Sequence, residues 1–193
     1  MSRLSLKEYL FLGFCAVFIL FTRASMRLHL GIPGHAMFFM VFFLMVARGC
    51  APVPFSATLT SLLAGTAAVV LGLGKGGPLI LTKFIMPGLA IDLGAAMLPG
   101  IFQSYALCAL VAAVASSTKG LETFVIDQLV GMDKTIISRH ALMEALSAVP
   151  FGIAGSLLIP PVIKKLKAYG VIGSGYEKNG STSGAESRKK EIV

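Results

Sequence analysis

Lys83 and Asp92 are the residues from which chemistry can start. Both lie in the stretch 76–99, GGPLILTKFIMPGLAIDLGAAMLP, which otherwise has the length and apolarity of a membrane-crossing helix. An ionisable side chain at the centre of a bilayer costs roughly 2.5–3.5 kcal/mol on insertion scales, so two in one span are expected to face protein or water. Between them stands Pro87-Gly88. Proline has no N–H, and its ring presses toward the carbonyl four residues back, here that of Lys83. A kink is expected there, with a free backbone acceptor beside a cation, the kind of break that lines a cavity inside a membrane. The two charges are nine residues apart, which is about 900° of helix and about 13 Å. They leave opposite faces, so each needs its own partner and two separate polar sites are expected. A cap or a bond to neighbouring backbone is the alternative role for Asp92. Snorkelling to the outer surface is the alternative for Lys83.

The elements that position these residues follow from composition. The 193 residues are 55% hydrophobic and 13% charged, with a mean hydropathy of +0.82. A soluble domain carries about 25% charged residues. The expected fold class is therefore an all-α integral membrane protein, a bundle of six transmembrane helices with a kinked fourth helix. The spans are expected at 9–22, 35–47, 57–73, 76–99, 101–117 and 140–163. Residues 1–167 form the membrane domain, and 168–193, a Gly/Ser/charged stretch without apolar periodicity, form a disordered cytoplasmic tail. The opening residues resemble a signal peptide, but Arg23 and Arg27 stand where a small-residue cleavage site belongs, so a retained first span is expected. The polar segment 119–139 is read as a connection holding a short surface helix, FVIDQLVGM.

The net charge of +8 does not form a nucleic-acid stripe. Basic residues sit between the apolar runs and after the last, as the positive-inside rule requires. Lys164, Lys165 and Lys167, with Arg188, Lys189 and Lys190 beyond them, place both termini in the cytoplasm of a prokaryotic cell membrane. Arg23, Arg27 and Lys119 oppose that assignment. With this orientation Lys83 lies about five residues into its span, about 7–8 Å deep in the outer half. His35 heads the second span on the same side, and His140 with Glu144 heads the sixth. These four, with His29 in the preceding connection, are the candidate substrate-binding residues. Glu144 is the expected counter-charge of Lys83. Arg48, Asp92 and Gln103 fall toward the cytoplasm.

Catalysis finds no foothold. GxSxG, HExxH and GxxxxGK[ST] are all absent, so no enzyme and no cofactor is expected, and any ATP-driven step needs other subunits. Cys15, Cys50 and Cys108 carry no metal spacing and read as packing residues. Small residues four apart recur as Ala64-xxx-Ala68-xxx-Gly72, Cys108-xxx-Ala112-xxx-Ser116, Ala109-xxx-Ala113-xxx-Ser117 and Ala148-xxx-Gly152-xxx-Ser156. They allow close helix approach where lipid offers no hydrophobic drive, within one bundle or between proteins.

The segments RLHLGIPGHAMFFMVFFLMVARG and GPLILTKFIMPGLAIDLG, in a six-span chain of this size, resemble the substrate-capturing S components of energy-coupling factor transporters. The similarity covers residues 5–167. It implies a subunit that takes a vitamin-like micronutrient near the outer face, under the first external connection. Such a subunit hands its substrate to a membrane coupling subunit energised by two ATPase subunits. The small-xxx-small contact often found in that family's first helix has no counterpart here, because Gly13 is followed four on by Val17. Ala64, Ala68 and Gly72 are the substitute docking surface. Two other classes stand beside this one: a self-sufficient small transporter or channel with Lys83 and Asp92 on one ion path, and a structural membrane protein. The cations and histidines near the expected pocket favour an anionic or heteroaromatic ligand.

Overall fold

The computed structural model describes residues 6–29, 34–51, 53–73, 79–98 and 100–169. All regular structure among them is helical. The order is α1 (Leu6–His29), α2 (Ala36–Cys50), α3 (Ser56–Val70), α4 (Ile80–Met97), a 3-10 turn (Ile101–Gln103), α5 (Tyr105–Leu129), α6 (Lys134–Leu157) and α7 (Ile159–Ala168). The expected tail beyond Tyr169 lies outside the described residues.

Four stretches are long and apolar enough to cross a membrane: α1, α4, α5, and α6 running on into α7. The apolar helices α2 and α3 are shorter, at 15 residues each. Large apolar side chains cover the outside as well as the core. Phe21 on α1, Met97 on α4, Val114 on α5 and Met143 on α6 are all more than half exposed. An apolar exterior on helices whose backbone bonds close internally fits a protein solvated by lipid.

The interior is built on α2, whose Met40, Val41, Leu44 and Met45 are all essentially buried. Around it, α5 pairs with α6, α3 with α4, and α1 packs chiefly on α2 and α3. Close approach depends on small residues. A Cβ on Gly152 would run into the Ser116 side chain, and one on Gly120 would sit 2.8 Å from the Ala141 carbonyl oxygen. Of the two registers on α5, Cys108, Ala112 and Ser116 are fully buried, whereas Ser117 is exposed. Only the first register packs.

The segment expected as a connection is helical nearly throughout. α5 continues for three turns past Ser117, so FVIDQL forms its last turns and VGM the turn after it, not a separate surface helix. α6 begins at Lys134, six residues before His140. The link is a four-residue turn with ordinary stop and start signals. Gly131 takes φ +80°, and the Met132 N–H donates to the Asp127 carbonyl at 3.1 Å, closing α5. The Asp133 carboxylate accepts from the Thr135 N–H at 3.0 Å, opening α6. The same device ends α3, where Gly72 takes φ +63° and Leu73 N–H donates to Ala68 O.

Pro87 sits inside α4, which runs through it from Ile80 to Met97. Pro160 and Pro161 fall in the first turn of α7, where the missing N–H groups have no helical acceptor to lose.

Candidate functional site

The two charges on α4 belong to different clusters. Asp92, 3% exposed, points at the start of α3. Its Oδ2 accepts from the Thr58 N–H and the Thr58 hydroxyl, both at 2.7 Å, and its Oδ1 accepts from the Ala57 N–H at 3.3 Å. A helix start leaves N–H groups without partners, and α3 has no capping side chain of its own. A carboxylate from the neighbouring helix supplies both the acceptors and the negative charge that a helix N-terminus favours. The Nε of Arg48 lies 3.0 Å from Asp92 Oδ1, out of line for a hydrogen bond, while its Nη1 donates to the Val53 carbonyl at 2.7 Å. Asp92 is thus committed to backbone and to Arg48. Of its two sequence roles, the structural cap is the one realised.

Lys83 looks toward the other end of the bundle. It lines a small cavity of about 80 Å³ with Arg23, Met37, Pro87, Lys119, Glu122, Thr123 and Glu144. Three cations and two carboxylates from α1, α4, α5 and α6 therefore meet in an otherwise apolar bundle. The position of each follows from its helix. α1 continues past Thr22 and carries Arg23 inward, with its guanidinium 4.5 Å from the centre of the buried Phe84 ring, a cation–π contact. Lys119 and Glu122 are one turn apart on the extended part of α5. Glu122 is 6% exposed, and its Oε1 has no hydrogen-bond partner among the described residues. An unsatisfied buried acceptor costs about 1–3 kcal/mol, so this oxygen is a place where a donor would be welcome.

Of the sequence candidates, the structure brings Lys83 and Glu144 to one cavity. Glu144 does not serve as the direct counter-charge of Lys83. Its Oε2 lies 2.6 Å from Lys119 Nζ, each side chain about a quarter exposed. His140, one turn before Glu144, faces α5 as well, but its Nδ1 meets Asp127 Oδ2 at 2.7 Å and its side chain is 52% exposed. It stands outside the cavity. His35 immediately precedes α2, half-buried and engaged in contacts of its own, and is not among the cavity residues. His29 ends α1, and its side chain lies outside the described residues. Ala64 and Ala68 are 0% and 1% exposed inside the bundle, and Gly72 closes α3. The first two are used in packing within the chain, and a docking partner has no access to them in this arrangement.

Arg23, Lys119 and Glu122 are not among the sequence candidates, because their segments have the polarity of connections although α1 and α5 run through them. The available signal was the Gly131 and Asp133 pair, which marks a helix stop and start and pushes the turn out to 130–133. With α5 extended that far, Lys119 and Glu122 become helix positions whose depth must be accounted for.

Comparison of the chain with family profiles, curated proteins and solved structures finds no match in any of the three.

Proposed function

We propose that the chain is a membrane subunit that captures a small anionic solute at the outer end of a six-span bundle, N-in and C-in, for uptake driven by partner subunits. The observation that carries this reading is the convergence of Arg23, Lys83 and Lys119 on one cavity. Desolvated ionisable groups inside a membrane protein are costly and mark solute paths. Three donors facing two carboxylates offer charge-assisted bonds to an anion, and Glu122 Oε1 offers an acceptor to an N–H on the same solute. Pro87 withholds an N–H from the Lys83 carbonyl and so supports a kink beside the site.

At about 80 Å³ the cavity is below the roughly 300–1,000 Å³ of ordinary ligand pockets. A vitamin-sized solute therefore enters only as a helix lining the cavity shifts to enlarge it. The membrane coupling subunit and two ATPase subunits come from the sequence resemblance alone, as does the micronutrient class.

The self-sufficient channel reading is less well supported. It needs Lys83 and Asp92 on one path, but Asp92 is consumed by the α3 cap and by Arg48. The α4 side chains between them, Phe84, Pro87 and Ile91, are buried in packing.

The test is mass spectrometry of small molecules retained by the purified chain, followed by co-purification from native membranes. An anionic solute lost in Lys83→Met and ATPase subunits in the eluate are the expected results. Accumulation of that solute by the chain alone in liposomes, without ATP, would overturn the proposal.

A further inference from the structure

A second cavity, of about 480 Å³, lies at the end of the bundle opposite the charged cluster. Its walls come from the 3-10 turn, the start of α5 and the first half of α7, with Phe102, Gln103, Tyr105, Pro160, Ile163 and Lys164 among the lining residues. Gly100, at φ +84°, turns the chain into the 3-10 segment and adds no side chain to the space. Two properties are combined here. The wall is largely aromatic, aliphatic and proline. The polar groups are Gln103, Tyr105 and Lys164, with no acidic residue among those lining it.

The helix beside the cavity is built for a membrane surface. α7, IPPVIKKLKA, buries Ile159 and Ile163 at 0% and 4% exposure against the bundle and leaves Lys164 and Lys165 exposed. One apolar face and one basic face, placed where the last span ends, are the features of an interfacial helix. Basic pockets between helices at that level attract anionic lipid headgroups. A soluble anion has no use for the apolar wall, and an apolar partner helix has no use for the lysine. A ligand that is anionic at one end and apolar at the other satisfies both.

We propose that this cavity is a binding site for an anionic phospholipid. The phosphate sits on Lys164 within reach of the polar groups of Gln103 and Tyr105, and the glycerol and first acyl carbons lie against Phe102, Pro160 and Ile163. The remaining acyl chain stays in the bilayer. This site is separate from the solute cavity and stands or falls independently of it.

The experiment is native mass spectrometry of the purified full chain equilibrated with phosphatidylglycerol, phosphatidylcholine or soluble glycerol phosphate. Phosphatidylglycerol is expected to remain bound and phosphatidylcholine to be lost. Lys164→Gln should lower phosphatidylglycerol retention about tenfold, the loss expected for one charge-assisted bond. Lys165→Gln, a lysine outside the lining, should change it less than threefold. Equal retention of the two lipids, or unchanged retention in Lys164→Gln, overturns the site. Equal losses in the two lysine variants would mean diffuse surface attraction and overturn it too. Displacement by glycerol phosphate at matched concentration would identify a soluble-anion site instead, and the lipid proposal would fail.

Discussion

Asp92 of α4 and Arg48 of α2 meet at 3.0 Å where neither side chain is more than 7% exposed, and Asp92 also holds the first N–H groups of α3. One carboxylate thus ties three helices together. Removing one partner of a buried pair leaves the other as an uncompensated charge, which costs about 3–5 kcal/mol. Asp92→Ala is expected to lower unfolding stability in detergent by that order. The double variant Arg48→Met/Asp92→Met should recover most of the loss. It will not recover the α3 cap, worth about 1 kcal/mol. Thermal unfolding of the two variants beside the parent protein checks this, and a double variant no better than Asp92→Ala would contradict it.

The Lys119–Glu144 pair predicts a different pattern. Both side chains are about a quarter exposed, so breaking the pair should cost less than the roughly 3–5 kcal/mol of a fully buried one. Glu144→Gln should therefore lower thermal unfolding stability less than Asp92→Ala does.

Ligand binding is a separate readout. Freed of its carboxylate, Lys119 in the cavity lining has its charge open to the solute, and affinity for an anionic solute should hold or rise. Lys83→Met should lower it about ten- to a hundredfold, the worth of a charge-assisted hydrogen bond at roughly 1.5–3 kcal/mol. Titration calorimetry with the solute identified by mass spectrometry reads both. Affinities within twofold of the parent protein for both variants would remove this cavity as the binding site.

The α5/α6 contact makes a steric prediction. Gly152 faces Ser116, and the Ala112 carbonyl oxygen lies 3.3 Å from where a Cβ would be. Gly152→Val should destabilise by about 1–3 kcal/mol or more through overpacking. Ser116→Gly in the same chain should return part of that loss, whereas Ser117→Gly on the exposed register should return none. Denaturation midpoints decide between them.

Orientation is open to cysteine labelling because the native Cys15, Cys50 and Cys108 are all buried and give little background. Met132→Cys in the α5/α6 turn and Tyr169→Cys after α7 are at exposed positions. An impermeant maleimide should reach Met132→Cys from outside intact cells and Tyr169→Cys only after lysis. Labelling of both from one side would sink the proposed topology.

Helical class and membrane character were legible from the apolar runs, because lipid solvation leaves a plain compositional mark. The separation of Lys83 from Asp92 was legible too, from helix geometry alone. Partners were not. Glu144 was matched to Lys83, when the extension of α5 sets Lys119 closer. That extension is hidden in the sequence because α5 turns polar after Ser117 without ceasing to be helical, and a polar stretch reads as a loop. The charge at Arg23 likewise marks an apparent end of the first span at Thr22, although α1 runs on to His29. Arg48 and Asp92 stand 44 residues apart in sequence, and no local pattern announces such a pair.

The near-absence of side-chain bulk between α5 and α6 at Gly120 and Gly152 has a mechanical consequence. Two rods that approach at their backbones, and also meet at Lys119–Glu144 and His140–Asp127, are expected to move as one unit. α1 packs chiefly on α2 and α3 and meets the charged cavity through Arg23. If that cavity swells to take in a solute, the α5/α6 hairpin is the door-post and α1 is the door.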